Sequence, residues 1–297
     1  MSPVIVNQIK AASTLLLSPV SSDKYWACDM SKSIALLICD TPMASVLSVH
    51  GDYHVFFTDL LHNAGMQAQI DDIQTKCRID AYDVVHKMNY PTAEQLEQYD
   101  GIIITGSKAS AYEEIPWINK LVDFVARTAT MHARIKIFGI CFGHQIVARA
   151  LGGECVKNGG RWEVGPTPIT LTPLGQSLFR VESATLHLQE MHQDHVPEVP
   201  ETFHLLGSTD VSKNQGMVRF TTLEPPSPLD LSRVHILTVQ GHPEFTEAVV
   251  TKLVYARAQS GVITPETAQD AIRRSGWPND GVSVIGRTIL GVLGLTR

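Results

Sequence analysis

The sequence contains no run of the ~18 consecutive apolar residues that a membrane-spanning helix requires, so no membrane partner is expected. Cys-x-x-Cys and His-Glu-x-x-His are both missing, which removes the case for zinc, and no metal ligands are assigned. Also missing are a Gly-x-x-x-x-Gly-Lys-[Ser/Thr] phosphate loop and a Ser-Gly-Gly-x-Asp-Ser pyrophosphatase-type loop, and no cofactor is expected. No cluster of Lys and Arg occurs, and 24 basic against 30 acidic residues leave a net charge of −6, which argues against a nucleic-acid partner. The five cysteines (Cys28, Cys39, Cys77, Cys141, Cys155) show neither pairing nor ligand spacing, which fits a reducing, cytoplasmic setting. Acids are absent from residues 1–22, where Lys10 is the one charge, yet the apolar run Thr14–Leu17 is too short for a signal peptide and a transit peptide would want arginines. Residues 1–29 are therefore expected to form a loosely attached, poorly ordered extension, with Met30 as an alternative start.

What is present reads as an ordinary globular chain, 44% hydrophobic and 18% charged. From Ser33 onward, strands and helices alternate. Ile34–Cys39, Arg78–Val85, Gly101–Thr105 and Ile135–Ile140 read as strands, with helices over His54–Asn63, Thr92–Gln98 and Ile118–Met131. Continuous apolar strands in this order predict an α/β fold: a mostly parallel central sheet with helices on both faces, a flavodoxin-like three-layer arrangement. After Gly152 the strand-like pieces shorten between Gly, Pro and Asn, predicting a small antiparallel addition to the same sheet. Val234–Val239 is again a wholly apolar strand, followed by helices at about Thr246–Ala258 and Pro265–Arg274. The domain is expected over 30–275, with 276–297 as a C-terminal helix packed on it.

The chain turns on Gly139-Ile140-Cys141-Phe142-Gly143-His144-Gln145. A buried strand ends at Ile140 and a helix begins at Phe142, so Cys141 falls on the turn between them. Gly139 and Gly143 leave room for a strained elbow that presents the side chain, as in Gly-x-Ser-x-Gly with sulfur in place of oxygen. A thiol at a helix N-terminus also feels the positive end of the dipole, which favours the thiolate. The bland alternative is a buried structural thiol.

A second constellation, His242-Pro243-Glu244, follows the late apolar strand and can meet Cys141 at the same sheet edge. A cysteine nucleophile needs a base that later protonates the leaving amine. It also gains from a carboxylate that fixes the imidazole tautomer. His242 and Glu244 supply those two roles; taken alone, His242 could equally be a surface-loop histidine.

Together, the two motifs resemble the class I (triad-type) glutamine amidotransferase superfamily. Met191-His192-Gln193-Asp194-His195-Val196 and Asn214-Gln215-Gly216-Met217-Val218 bring the chain closest to its GMP-synthetase-like stand-alone branch, similar to γ-glutamyl peptidases and fungal amidotransferase-like proteins. The resemblance spans about Ile34–Ala258 and implies a catalytic triad of Cys141, His242 and Glu244. It implies an oxyanion hole from the backbone N–H groups of Phe142 and of the Gly106-Ser107 loop, and a γ-glutamyl pocket including Gln145, His192 and Asp194. His144 is expected to be structural. Where many members carry Gly-Gly-Pro or Gly-Pro-Gly, this chain reads Gly106-Ser107-Lys108-Ala109-Ser110, so the donor that points inward is left open. The implied activity is hydrolysis of a small-molecule γ-glutamyl amide through a thioester by a stand-alone enzyme. The alternatives are a glutaminase subunit feeding an ammonia-accepting synthase in specialised metabolite biosynthesis, and a non-catalytic binding or regulatory protein. The sequence carries no signal for oligomeric state.

Overall fold

Lys32–Ile38 forms β1, and its inward residues point to two different cores. Ile34 and Leu36 join one cluster while Ala35 and Leu37 join another, and all four have no exposed surface. A strand buried on both sides belongs inside a parallel sheet covered by helices on each face. A computed structural model describes residues 31–296; the expected extension at 1–29 and its alternative start lie outside the described residues.

The strands are β1, β2 (Cys77–Asp83), β3 (Gly101–Ile104), β4 (Lys136–Ile140), β5 (Val156–Lys157), β6 (Glu163–Leu171), β7 (Thr185–His192), β8 (Asp194–His195), β9 (His204–Ser208), β10 (Gly216–Phe220) and β11 (Val234–Val239). The helices are α1 (Ala44–His50), α2 (Tyr53–Gln67), α3 (Ile73–Lys76), α4 (Ala93–Leu96), α5 (Pro116–Met131), α6 (Phe142–Ala150), α7 (Pro173–Phe179), α8 (Glu247–Gln259), α9 (Pro265–Arg273) and α10 (Arg287–Val292). Strands β2-β1-β3-β4-β11 run parallel in the flavodoxin-like order. The antiparallel strands β10-β9-β6-β7 continue the same sheet, and β5 and β8 pair separately. The predicted α/β architecture is thus observed, with an antiparallel half larger than a small addition.

One face of the sheet is covered by Phe57 and Leu61 of α2, Val250 and Val254 of α8, and Ile289 and Leu290 of α10. The other is covered by Leu121 and Val125 of α5 with Ile146 and Val147 of α6. Among the described residues, no helix is long and apolar enough to cross a membrane.

Several local expectations need correction. Helix α2 does not end at Asn63 but runs to Gln67 through Gly65, whose missing side chain leaves space for Ile73: a Cβ there would meet Ile73 Cγ1 at 2.3 Å. Helices α1, α3 and α7 fall where the sequence pattern signals none. Strand β6 passes through Pro166 and Pro168, which breaks the usual expectation for a strand. It is tolerated because β9 pairs only with Thr170 and Leu171, leaving the proline stretch without a strand on that side. There Arg274 donates to the carbonyls of Val164 (2.8 Å) and Pro166, covering the open edge. The tail begins as a π-helical stretch, Gly281–Gly286, before α10.

Candidate active site

Strand β4 delivers Cys141 to the carboxyl edge of the parallel strands, where ligands of such sheets bind. Its backbone sits at φ 52°, ψ −103°, a conformation that costs of order 1–3 kcal/mol and that side chains adopt only when the surroundings impose it. The two flanking glycines permit it. A Cβ on Gly139 would lie 2.6 Å from the Gly143 carbonyl oxygen, and one on Gly143 would lie 2.3 Å from that of Ile104. The Cys141 N–H closes the turn onto the Val239 carbonyl at 2.9 Å, tying the elbow to β11.

Strand β11 ends at Val239 and hands the chain to Gln240, Gly241 and His242. The His242 N–H donates to the Gln189 carbonyl of β7 at 2.8 Å, and its ring stacks flat on Phe245 with centroids 4.1 Å apart. Nδ1 donates to Glu244 Oε1 at 2.8 Å, which leaves the opposite ring nitrogen for the Cys141 side chain. His242 and Glu244 are both buried. Burial opposes the imidazolium, but the negative charges of Cys141 and Glu244 and hydrogen bonds to both outweigh it, pushing the His242 pKa up to about 10. By contrast, burial pushes the thiols of Cys39, Cys77 and Cys155 up, away from reactivity. The structure therefore brings the three residues of the expected triad into one chain of contacts.

In the loop expected to hold an oxyanion, most amides are already engaged. The N–H of Lys108 donates to Asp40 Oδ2 (2.9 Å), that of Ala109 to Ser107 Oγ (3.1 Å) and that of Ser110 to Glu113 Oε2 (3.2 Å). Among the described residues, the loop amides of Gly106 and Ser107 have no acceptor, and Phe142 lies in the first turn of α6, whose N–H groups have no intrahelical acceptor. Gly106 is pressed against the imidazole: a Cβ there would come within 2.6 Å of His242 Cε1.

Gln145, His192 and Asp194 line a cavity of about 260 Å³ that also contains Cys141. Gln145 Nε2 donates to the Asp194 carbonyl (2.9 Å) and to Gln240 Oε1 (3.2 Å). Asp194 Oδ2 accepts from Ser110 Oγ at 2.6 Å, while its buried Oδ1 has no partner among the described residues. His192 Nδ1 faces the Asp194 carbonyl at 2.9 Å, and Nε2 lies 3.2 Å from Glu163 and 3.3 Å from Glu190. Burial works against a charge on His192, but the two carboxylates prevail and hold its pKa well above the ordinary value. His192 thus belongs as much to a buried charge cluster as to the cavity wall. His144 bonds Thr238 Oγ1 at 2.8 Å, and burial, with the nearby charge of His192, pulls its pKa down to about 3, as befits a packing residue.

Two participants were not anticipated as site residues. Gln240 places Nε2 3.6 Å from Cys141 Sγ, and Ser110 holds Asp194. The signal for Gln240 was its place directly before Gly241-His242.

Residues 59–257 match the model of the family described as glutamine amidotransferase class-I. A Schizosaccharomyces pombe protein named as glutamine amidotransferase-like is 38% identical over 253 residues, covering 84% of this chain and 94% of its own length. Gamma-glutamyl peptidase 4 of Arabidopsis thaliana is 30% identical over 224 residues, covering 74% of this chain and 78% of its own. The crystal structure of a glutamine amidotransferase from Thermotoga maritima superposes with a TM-score of 0.60 at 16% identity, over 88% of this chain and 98% of that one, a likeness of fold. The elbow at Cys141, the His-Pro-Glu loop and this family match agree, and the chain belongs to the class I glutamine amidotransferase family.

Proposed function

We propose that this chain is a stand-alone cysteine hydrolase of small γ-glutamyl amides. The observation that carries the reading is the alignment of His242 between the thiol of Cys141 and the carboxylate of Glu244. The Cys141 thiolate attacks the γ-carbonyl carbon, and the carbonyl π pair moves onto oxygen. That oxyanion accepts from the N–H groups of Phe142 and of Gly106 or Ser107, donors already in place before the reaction. When the tetrahedral adduct collapses, the C–N bond breaks and the imidazolium of His242 gives its proton to the departing amine. A γ-glutamyl thioester remains on Cys141. Water then attacks it, His242 takes the proton from that water, and the C–S bond breaks to release glutamate and restore the thiolate. Glu244 holds the tautomer that faces Nδ1–H to itself and stabilises the imidazolium at each stage. Asp194, with one carboxylate oxygen unpartnered, suits the α-ammonium of the glutamyl group.

Support for an amine other than ammonia comes from the γ-glutamyl peptidase among the relatives. The test is release of glutamate by the isolated chain from glutamine and from a panel of γ-glutamyl peptides. Turnover of at least one peptide is expected. Failure on every member of the panel, reversed by adding a synthase that consumes ammonia, would instead favour a glutaminase subunit.

A further inference from the structure

Cys141 and His242 face different cavities, each about 260 Å³. The first holds Cys141, Gln145 and Asp194; the second holds His242, Asp40, Tyr53 and Leu253. Ser107, Lys108, Met191 and Arg257 line both and so mark the passage between them. In the proposed reaction the acyl group stays with the thiol while the amine leaves toward the group that protonates it. The scissile bond must therefore cross that passage, with the glutamyl portion beside Cys141 and the amine portion in the His242 cavity. Ammonia needs little space, since a water-sized molecule requires only ~10–15 Å³ of such volume. The second cavity is more than ten times larger.

Two cations flank the passage, and only one is spent. Lys108 Nζ pairs with Asp40 Oδ1 at 3.1 Å. Arg257, on α8, lies over the Trp162 ring at 5.5 Å from its centroid, and its buried Nε has no hydrogen-bond partner among the described residues. A cation held against an aromatic face with an unmet donor suits a planar anion that can accept two parallel hydrogen bonds. In a γ-glutamyl amino acid, the carboxylate of the leaving residue is two bonds from the scissile nitrogen, hence just past the passage. The α-carboxylate of the glutamyl group is three carbons from the reacting carbonyl, at the far end of the other cavity.

Resting on the hydrolase reading above, we propose that the His242 cavity is an amine-side subsite in which Arg257 binds the carboxylate of the leaving amino acid. The substrate class is then γ-glutamyl amino acids or peptides with a free carboxylate near the scissile amide.

The experiment compares γ-glutamylglycine with γ-glutamylglycinamide, equal in shape and different in charge. Calorimetric binding to the full chain carrying Cys141→Ala should favour the acid by about tenfold, the scale of one charge-assisted pair. Arg257→Met should bring that ratio close to one, Arg257→Lys should retain part of it, and Arg257→Gln serves if the Met variant does not fold. A ratio near one in the Cys141→Ala chain, or a ratio that Arg257→Met leaves intact, overturns the proposal. Equal weakening of both ligands by Arg257→Met also overturns it, since that would place Arg257 on the glutamyl side. A wild-type chain that binds with the expected ratio but cleaves neither compound sinks the hydrolase reading and leaves the subsite standing.

Discussion

A Cβ on Gly143 would lie 2.3 Å from the carbonyl oxygen of Ile104, so the helix that carries the elbow sits directly on strand β3. Alanine normally stabilises a helix interior by about 1 kcal/mol relative to glycine. Here the added methyl meets backbone that cannot turn away. Gly143→Ala is expected to cost about 1–3 kcal/mol instead, read as a lowered denaturant midpoint, and to displace Cys141 enough to lower kcat. A stabilised, fully active variant would contradict this packing.

Glu244→Gln keeps the size of the side chain and removes its charge from His242 Nδ1. Loss of the tautomer and of imidazolium stabilisation should lower kcat by about 10²–10⁴-fold. The sign of the pH effect follows from the raised pKa. His242 stays protonated through neutrality and loses its proton only near about 10. The alkaline fall in kcat/KM should therefore move to lower pH in the variant, as one of the two raising charges is gone. The same shift contributes stability that is full below the ordinary imidazole value of 6.5 and lost as pH rises through about 10. An unmoved alkaline limb would show that Glu244 does not act on His242.

His192 sits between two buried glutamates; removing it strands Glu190, while Glu163 keeps Thr209 and Gln215 as donors. His192→Gln is expected to destabilise the fold by about 3–5 kcal/mol, through uncompensated charge as much as lost contact. Burial foremost, with the charge of Glu163, keeps the Glu190 carboxyl above its ordinary pKa against the pull of His192, whereas the hydrogen bond and charge of His192 bring Glu163 below its own despite burial. Because the His192 pKa is raised, its contribution is complete below about 6.5 and fades as pH climbs through the raised value. Thermal unfolding of wild type and variant should accordingly differ most at mildly acidic pH and converge under alkaline conditions. A constant difference would point to packing rather than charge.

The elbow and the His-Pro-Glu loop were legible because their chemistry is local: two glycines about a cysteine, and a histidine two residues from its carboxylate. The parallel half of the sheet was legible from unbroken apolar strands such as Gly101–Ile104. Helix α1 was not, since Ala44–His50 buries only Val46 and its N-terminus has no side-chain cap. Strand β6 was hidden by Pro166 and Pro168, whose tolerance depends on Arg274, far along the chain. The charge cluster at His192 and the exposure of Arg257 to both cavities join residues from separate elements, and spacing does not record such meetings.

Arg274 is itself a test of that last point. Arg274→Ala removes donors from the Val164 and Pro166 carbonyls and should cost about 1–3 kcal/mol, with faster hydrogen exchange concentrated along β6. Unchanged protection of β6 would mean that water replaces the guanidinium without loss.

In the proposed reaction Cys141 carries the glutamyl group as a thioester. Acid-quenched mass spectrometry of the chain during turnover of γ-glutamylglycine tests it most directly. The expected result is one glutamyl increment on the peptide containing Cys141, absent after Cys141→Ala, with hydrolysis lost alongside it. Continued hydrolysis by the Cys141→Ala chain, or a glutamyl adduct on any other residue, would contradict it.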